Sequence, residues 1–293
     1  MNVAHGPEEL EPARRAVAIG TFDGVHCGHR RVIAAAEAAH LRSAVVTFDP
    51  HPRTLLGGPS VALLTTLERR LELLEGVGVE DVLVLRVDEA LLALTPEAFA
   101  ETVLRAIGTE IVTAGDGFRF GHGRSGDLDL LARLGFDVRR VPLVDNVSSS
   151  HIRALLTAGD VEHAAKLLGR PAEVEGTVVA GDQRGEGLGF PTANLAVPAD
   201  LLVPRLGIYA GSALGHRAAI SIGTNPHYGG TERRVEAFLL DYAGDLYGRR
   251  LVVELWERLR DEAAFDSEAE LIEAIETDVA RTRAAVPPRL TNS

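Results

Sequence analysis

A chain of 293 residues is longer than one ordinary domain, and its composition, 46% apolar and 25% charged, excludes a disordered protein, so two packed cores are expected. The formal charge of -12 argues against a broad attraction to nucleic acid or to an anionic membrane, so any phosphate must be gripped locally. A single cysteine, Cys27, excludes an internal disulfide and a multi-cysteine zinc site and suits a reducing compartment. No apolar run reaches membrane-spanning length, and the opening MNVAHGPEELEPARR lacks the apolar core of a signal peptide. A cytoplasmic protein with no nucleic-acid or membrane partner is expected.

From Val17 to about Leu168, short β-branched runs alternate with helical patterns. The runs are Val17–Ile19, Ala44–Phe48, Asp81–Leu85, Ile111–Thr113 and Val138–Val141. Such alternation predicts a parallel sheet with crossover helices, whose ligands bind at the carboxyl ends of the strands. Thr95-Pro96-Glu97 reads as a helix start, a capping residue followed by proline at the first helical position.

The pattern changes after Leu168-Gly169-Arg170-Pro171, which places a domain boundary between residues 168 and 169. Beyond it, strand-like stretches separated by glycine-rich turns cover Glu173–Val179, Tyr209–Ala213, Ala218–Ile222, Val235–Leu240 and Leu251–Leu255. They predict a small antiparallel barrel. A terminal helix follows, with Ser267 and Glu270 as a capping box and Ile272, Ile275 and Val279 on one apolar face.

Immediately after the first strand comes Gly20-Thr21-Phe22-Asp23-Gly24-Val25-His26-Cys27-Gly28-His29, leading into a helix. Glycines allow close backbone approach to a phosphate, and a helix amino terminus supplies N–H donors and partial positive charge. Two histidines three residues apart share a helical face and can donate to one phosphate chain. A lone histidine pair is more often structural. Here it combines with the glycines, the preceding strand and the distant segment Ser148-Ser149-Ser150-His151-Ile152-Arg153. The arrangement resembles the HxGH signature and the SSTxxR segment of the nucleotidylyltransferase superfamily, with Ser150 in place of the usual threonine. That resemblance implies transfer of a nucleotidyl group with release of pyrophosphate. It makes His26, His29 and Arg153 catalytic, with Gly20, Phe22, Asp23, Gly24, Gly28, Ser148 and Ser149 at the ATP phosphates.

The segment from Gly181 to Asn194, GDQRGEGLGFPTAN, is the most specific string in the chain. It resembles the glycine-rich loop and PTAN motif of riboflavin kinases. The resemblance implies ATP contacts at Gly181, Arg184, Gly185 and Gly189, and a magnesium ion on Thr192 and Asn194, two hard oxygen ligands of the kind magnesium accepts. Ile222-Gly223-Thr224-Asn225-Pro226 and the run from Thr231 to Asp241 extend the likeness, which makes Glu236 the catalytic base toward the riboflavin hydroxyl. Read without that likeness, Glu236 is an outward residue on an alternating strand.

Together the motifs cover about residues 16 to 283 in the order of the prokaryotic bifunctional riboflavin kinase/FAD synthetases. The family implies an α/β plus β fold: a Rossmann-like nucleotidylyltransferase domain over residues 1–168, then a small antiparallel β-barrel with a terminal helix over 169–293. It also implies riboflavin, FMN and ATP as substrates, FMN and FAD as products, magnesium as cofactor, and room for a weak homo-oligomer. Thr47 to Pro52 and Phe118 to Asp127 are expected to line the adenylyltransferase cleft, with Phe118, Phe120 and Asn225 toward the flavin. Four positions depart from the family pattern: Gly117, Glu186, Ser221 and His227. They leave open a paralogue with one active module or a modified flavin substrate, and a flavin-binding protein without turnover.

Overall fold

The structure is a computed structural model that describes residues 1–38, 40–55, 61–181, 189–224 and 233–290. The chain divides into two compact units, Met1–Ser149 and Ser150–Ser293.

The first unit is built on six strands: β1 Asn2–Ala4, β2 Arg15–Ile19, β3 Arg42–Asp49, β4 Asp81–Arg86, β5 Thr109–Gly115 and β6 Asp137–Val141. Their order is β1-β4-β3-β2-β5-β6, and every pairing is parallel. Strands covered on both faces read as continuous apolar runs, which is why β2, β3 and β4 were visible in the sequence. One face packs Val17, Ile19 and Val46 with Leu104 and Phe99; the other packs Ala16, Ala18 and Val45 with Ile33 and Leu74. The edge strand β1 was not anticipated, because three residues carry no period. Pairing Asn2 with Asp81 is what makes it a strand.

The chain moves outward through β2, β3 and β4, then crosses back to place β5 and β6 on the other side of β2. The direction of winding therefore reverses between β2 and β5, and the carboxyl ends of those strands flank the crevice where such sheets bind ligands. Thr95 caps the helix that starts at Pro96, accepting from the Ala98 amide at 3.2 Å as the sequence predicts.

At the amino-terminal end of the sheet, fully buried Asp81 accepts from Arg15 Nε at 2.8 Å and from Arg42 Nε and Nη2 at 2.7 and 2.9 Å. Burial alone would push this carboxyl up, but the hydrogen bonds from Arg42 and Arg15, with their charges, hold it below its ordinary value.

The second unit begins with the helices Ser149–Ala158, which starts at the last residue of the first unit, and Val161–Leu168. Six strands follow: β7 Ala172–Val179, β8 Ala193–Ala196, β9 Gly207–Ala213, β10 His216–Thr224, β11 Arg233–Leu239 and β12 Arg250–Arg260. They close into an antiparallel barrel in the order β10-β11-β8-β7-β12-β9. Val174, Val178, Ile220, Ile222, Val235, Ala237, Leu251 and Val253 are buried, alternating with residues on the outer wall. The short strand β8 begins inside the PTAN motif and is not among the strands that the sequence predicts.

Two sequence expectations take a different form here. The compact division falls between Ser149 and Ser150, whereas the sequence puts its boundary after Leu168. The helix Val161–Leu168 buries Val161, Ala164, Ala165 and Leu168 and packs on β7 and β12, so it goes with the barrel. The terminal helix Glu268–Ala284 does start at Ser267, whose Oγ accepts from the Glu270 amide. Its buried positions, however, are Asp278 and Thr282, while Ile272, Ile275 and Val279 are half-buried. Asp278 is tolerated there because it accepts from Arg260 Nε and Nη2, the latter at 2.7 Å.

Candidate active sites

The segment Gly20–Val25 leaves the carboxyl end of β2 and delivers His26 as the N-cap of the helix Cys27–Glu37. The turn is sharp: φ is 49° at Phe22, 84° at Gly24 and 37° at Val25. Glycine adopts such a backbone without strain; Phe22 and Val25 are held in it by burial, at 1% and 0% exposure. Asp23 is fully buried, and its carboxylate faces inward to accept from the amides of Leu64 and Thr65. Thr65 Oγ1 accepts in turn from the Gly24 amide at 3.2 Å. Asp23 and Gly24 thus hold the loop in place from behind.

His26 Nδ1 accepts from the His29 amide at 3.2 Å, so in its neutral form the ring carries its proton on Nε2. The His26 and His29 rings stack with centroids 3.5 Å apart, and Phe22 meets His29 edge-on at 5.2 Å. Gly28 gives the stack room, since a Cβ there would lie 3.2 Å from the His26 ring. Ser149, the last residue of the first unit, returns to this loop: its Oγ donates to the Asp23 carbonyl at 3.0 Å. Ser148 is exposed just before the helix, and half-buried Arg153 lies four residues past Ser149, one turn along the same helix.

Sequence reading missed Arg70, on the helix Leu67–Gly76. It is 1% exposed and donates from Nη1 to the Phe48 carbonyl at 3.0 Å and to Thr47 Oγ1 at 3.4 Å; Thr47 Oγ1 donates to the Thr21 carbonyl. Burial pushes its guanidinium below the ordinary value, opposed by Asp23 and Asp49. Arg70 therefore ties the end of β3 to the histidine loop. One arginine in a charged helix gives no sign of that burial in sequence. Phe120 belongs to the core, whereas half-buried Phe118 stacks on it at 5.7 Å, and Gly117 is exposed with open space around it.

In the barrel, register brings the second set together. Glu236 on β11 stands opposite Asn194 on β8 and opposite Ser221 on β10, so the three side chains share the outer face. Thr192 Oγ1 donates to Glu236 Oε2 at 3.1 Å, and Asn194 Nδ2 approaches the Thr192 carbonyl at 3.4 Å. Asn194 is buried at 7% exposure. Gly181 lies so close to it that a Cβ would come within 2.3 Å of its amide, which explains a glycine at the mouth of the loop. Gly189 is exposed with φ 86°. Arg184, Gly185, Glu186, Asn225 and His227 lie outside the described residues.

Arg234 was also missed. Its Nε and Nη2 donate to Asn194 Oδ1 at 2.9 and 2.8 Å, and its Nε pairs with Glu236 Oε1. Arg234 therefore holds the Asn194 amide oxygen and one oxygen of the Glu236 carboxylate, whose other oxygen accepts from the Thr192 hydroxyl. These oxygens are all hard donors, and a cluster already in contact with a cation fits magnesium. On an alternating strand, Arg234 reads as one more outward charge.

Two family models match the chain: FAD synthetase over residues 8–153 and riboflavin kinase over residues 168–286. The bifunctional riboflavin kinase/FMN adenylyltransferase of Listeria monocytogenes is 35% identical over 295 residues, covering 94% of both chains. The protein of the same name from Bacillus subtilis is 35% identical over 292 residues, covering 92% of this chain and 91% of its own. A crystal structure described as a macrolide-efflux protein from Streptococcus pneumoniae superposes with a TM-score of 0.87 at 30% identity, over 97% of this chain and 99% of that one. Among the described residues, no helix is long and apolar enough to cross a membrane.

Proposed function

This chain belongs to the bifunctional riboflavin kinase/FMN adenylyltransferase family, and we propose that its two halves carry out the two reactions with the residues described above. The first turns riboflavin and ATP into FMN; the second turns FMN and ATP into FAD and pyrophosphate.

In the kinase half, Glu236 orients the terminal ribityl hydroxyl and accepts its proton as the oxygen attacks the γ-phosphorus, and ADP leaves. Thr192 holds the Glu236 carboxylate by its second oxygen. Thr192 and Asn194 would hold a magnesium ion, which would neutralise charge on the phosphates. Gly181 and Gly189, which bound the glycine-rich segment, are assigned to the ATP phosphates, and Gly181 leaves the space that Asn194 fills.

In the adenylyltransferase half, a phosphate oxygen of FMN attacks the α-phosphorus of ATP and the bond to the β-phosphate oxygen breaks. No protein nucleophile is needed. His26, through Nε2–H, His29 and Arg153 stabilise the charge that develops on the phosphates. Asp23, Thr65 and Arg70 fix the loop that carries the histidines. Phe118 offers an aromatic face to the isoalloxazine ring. The reaction is assigned to the cytoplasm, where ATP and flavin precursors meet.

The observation that carries this reading is the convergence of Glu236 on β11 with Asn194 on β8 and with Thr192 just before that strand. The test is to incubate the purified chain with riboflavin, ATP and magnesium and to resolve FMN and FAD over time. FMN followed by FAD supports both activities; FMN alone leaves only the kinase, and neither product overturns the reading.

A further inference from the structure

The kinase cluster contains a positive charge that the reaction above does not use. Arg234 engages the amide oxygen of Asn194 and one oxygen of Glu236, the proposed metal ligand and the proposed base. A dication on the same Asn194 oxygen is repelled by a guanidinium that stays on it, because like charges at contact distance repel in proportion to their product. Seating the metal therefore favours a move of Arg234 away from Asn194.

A second resting place is within the same face of the sheet. Arg234 stands opposite Gly223 across the β10–β11 ladder, and cross-strand partners point to the same side. Gly223 has no side chain there. The space is taken by Glu262, whose Oε1 lies 2.3 Å from where a Gly223 Cβ would be. Glu236, two residues along the same strand, pairs with Arg234, and Glu262 lies over Gly223, the cross-strand partner of Arg234.

We propose that Arg234 is an exchangeable counter-cation of the kinase site, which holds Asn194 and Glu236 until magnesium and nucleotide displace it toward Glu262. Release of the base and seating of the metal then become one event. Arg234 is a positioning residue: it touches the proposed catalytic residue and metal ligand, and it sets how much metal the site requires. The inference rests on the assignment of Asn194 as metal ligand.

The test uses the full chain with ADP and riboflavin and follows Mn2+ binding through loss of the free-ion EPR signal. The portion of binding lost in Asn194→Ala reports the kinase site. Arg234→Gln removes the competing charge and should tighten that portion by about tenfold or more, as expected for one charge in contact at a partly exposed site. Glu262→Gln removes the second resting place and should weaken it. Arg234→Lys keeps the charge but loses the fork and should fall between Arg234→Gln and the unaltered chain, which keeps the proposal testable if the glutamine variant does not fold. FMN adenylylation with supplied FMN checks the other half of each variant. Unchanged or weaker Mn2+ binding in Arg234→Gln, with Asn194→Ala still abolishing it, overturns the exchange while sparing the metal assignment. If Asn194→Ala leaves Mn2+ binding intact, the metal assignment itself fails and the inference falls with it.

Discussion

His26 and His29 stack ring on ring, with centroids 3.5 Å apart and 15° between their planes, while the His26 ring caps the helix by accepting from the His29 amide. The two residues therefore fail in different ways. His29→Ala keeps the amide that the cap uses and should cut FAD formation from FMN by about a hundredfold or more, the scale of losing a donor to developing charge. FMN formation should be nearly unchanged. His26→Ala should lose activity and also about 1 kcal/mol of cap stability, visible as a lower unfolding midpoint. Equal loss of both activities in His29→Ala would point to a folding defect instead.

Glu236→Gln keeps the shape and the hydrogen bond from Thr192 but removes the proton acceptor. The kinase rate should fall by about two to four orders of magnitude with riboflavin binding retained, as measured by quenching of flavin fluorescence. FMN formation above about a tenth of the original rate would remove Glu236 from the mechanism.

Asn194→Ala should raise the magnesium concentration needed for half-maximal FMN formation by at least about tenfold, the effect of losing one of two protein oxygen ligands. FAD formation from supplied FMN should keep its magnesium dependence. A shift in both halves would show that the change spreads beyond the barrel.

Asp81 sets an acid limit on the first unit. Its carboxyl is held below the ordinary value in the folded state, so its stabilisation is present above the unfolded value, about 3.9, and is lost as pH falls through the depressed folded value. Asp81→Asn leaves Arg15 buried without its counter-charge and should cost about 3–5 kcal/mol at neutral pH. The variant should also lose less stability than the unaltered chain between about pH 4 and pH 2. Parallel melting curves against pH would remove Asp81 from the acid response.

The position of the helix Val161–Leu168 decides where a kinase fragment can begin. A fragment starting at Ser150 should phosphorylate riboflavin and melt as one unit. A fragment starting at Leu168 drops Val161, Ala164 and Ala165 from the surface of β7 and β12, at a cost of at least about 3 kcal/mol of apolar burial. Equal melting midpoints would show that this helix is dispensable to the barrel.

The sequence alone determined the sheet, the barrel and the two chemical motifs. Val17–Ile19 and Ala44–Phe48 announce buried parallel strands because both of their faces are apolar, and GDQRGEGLGFPTAN is specific because several unusual residues must occur together at fixed spacing. The tertiary structure decided what depends on partners distant in the chain. β1 exists through its pairing with β4, Asp278 is buried because Arg260 meets it, and Arg70 is buried where it meets Thr47 and Phe48 of β3. Arg234 shows the reason most clearly. Local alternation makes it an outward charge, and only the register of β11 with β8 sets its guanidinium on Asn194 as well as on Glu236. Periodicity is a property of a segment, whereas a charge's role depends on which groups the fold brings within a few ångströms of it.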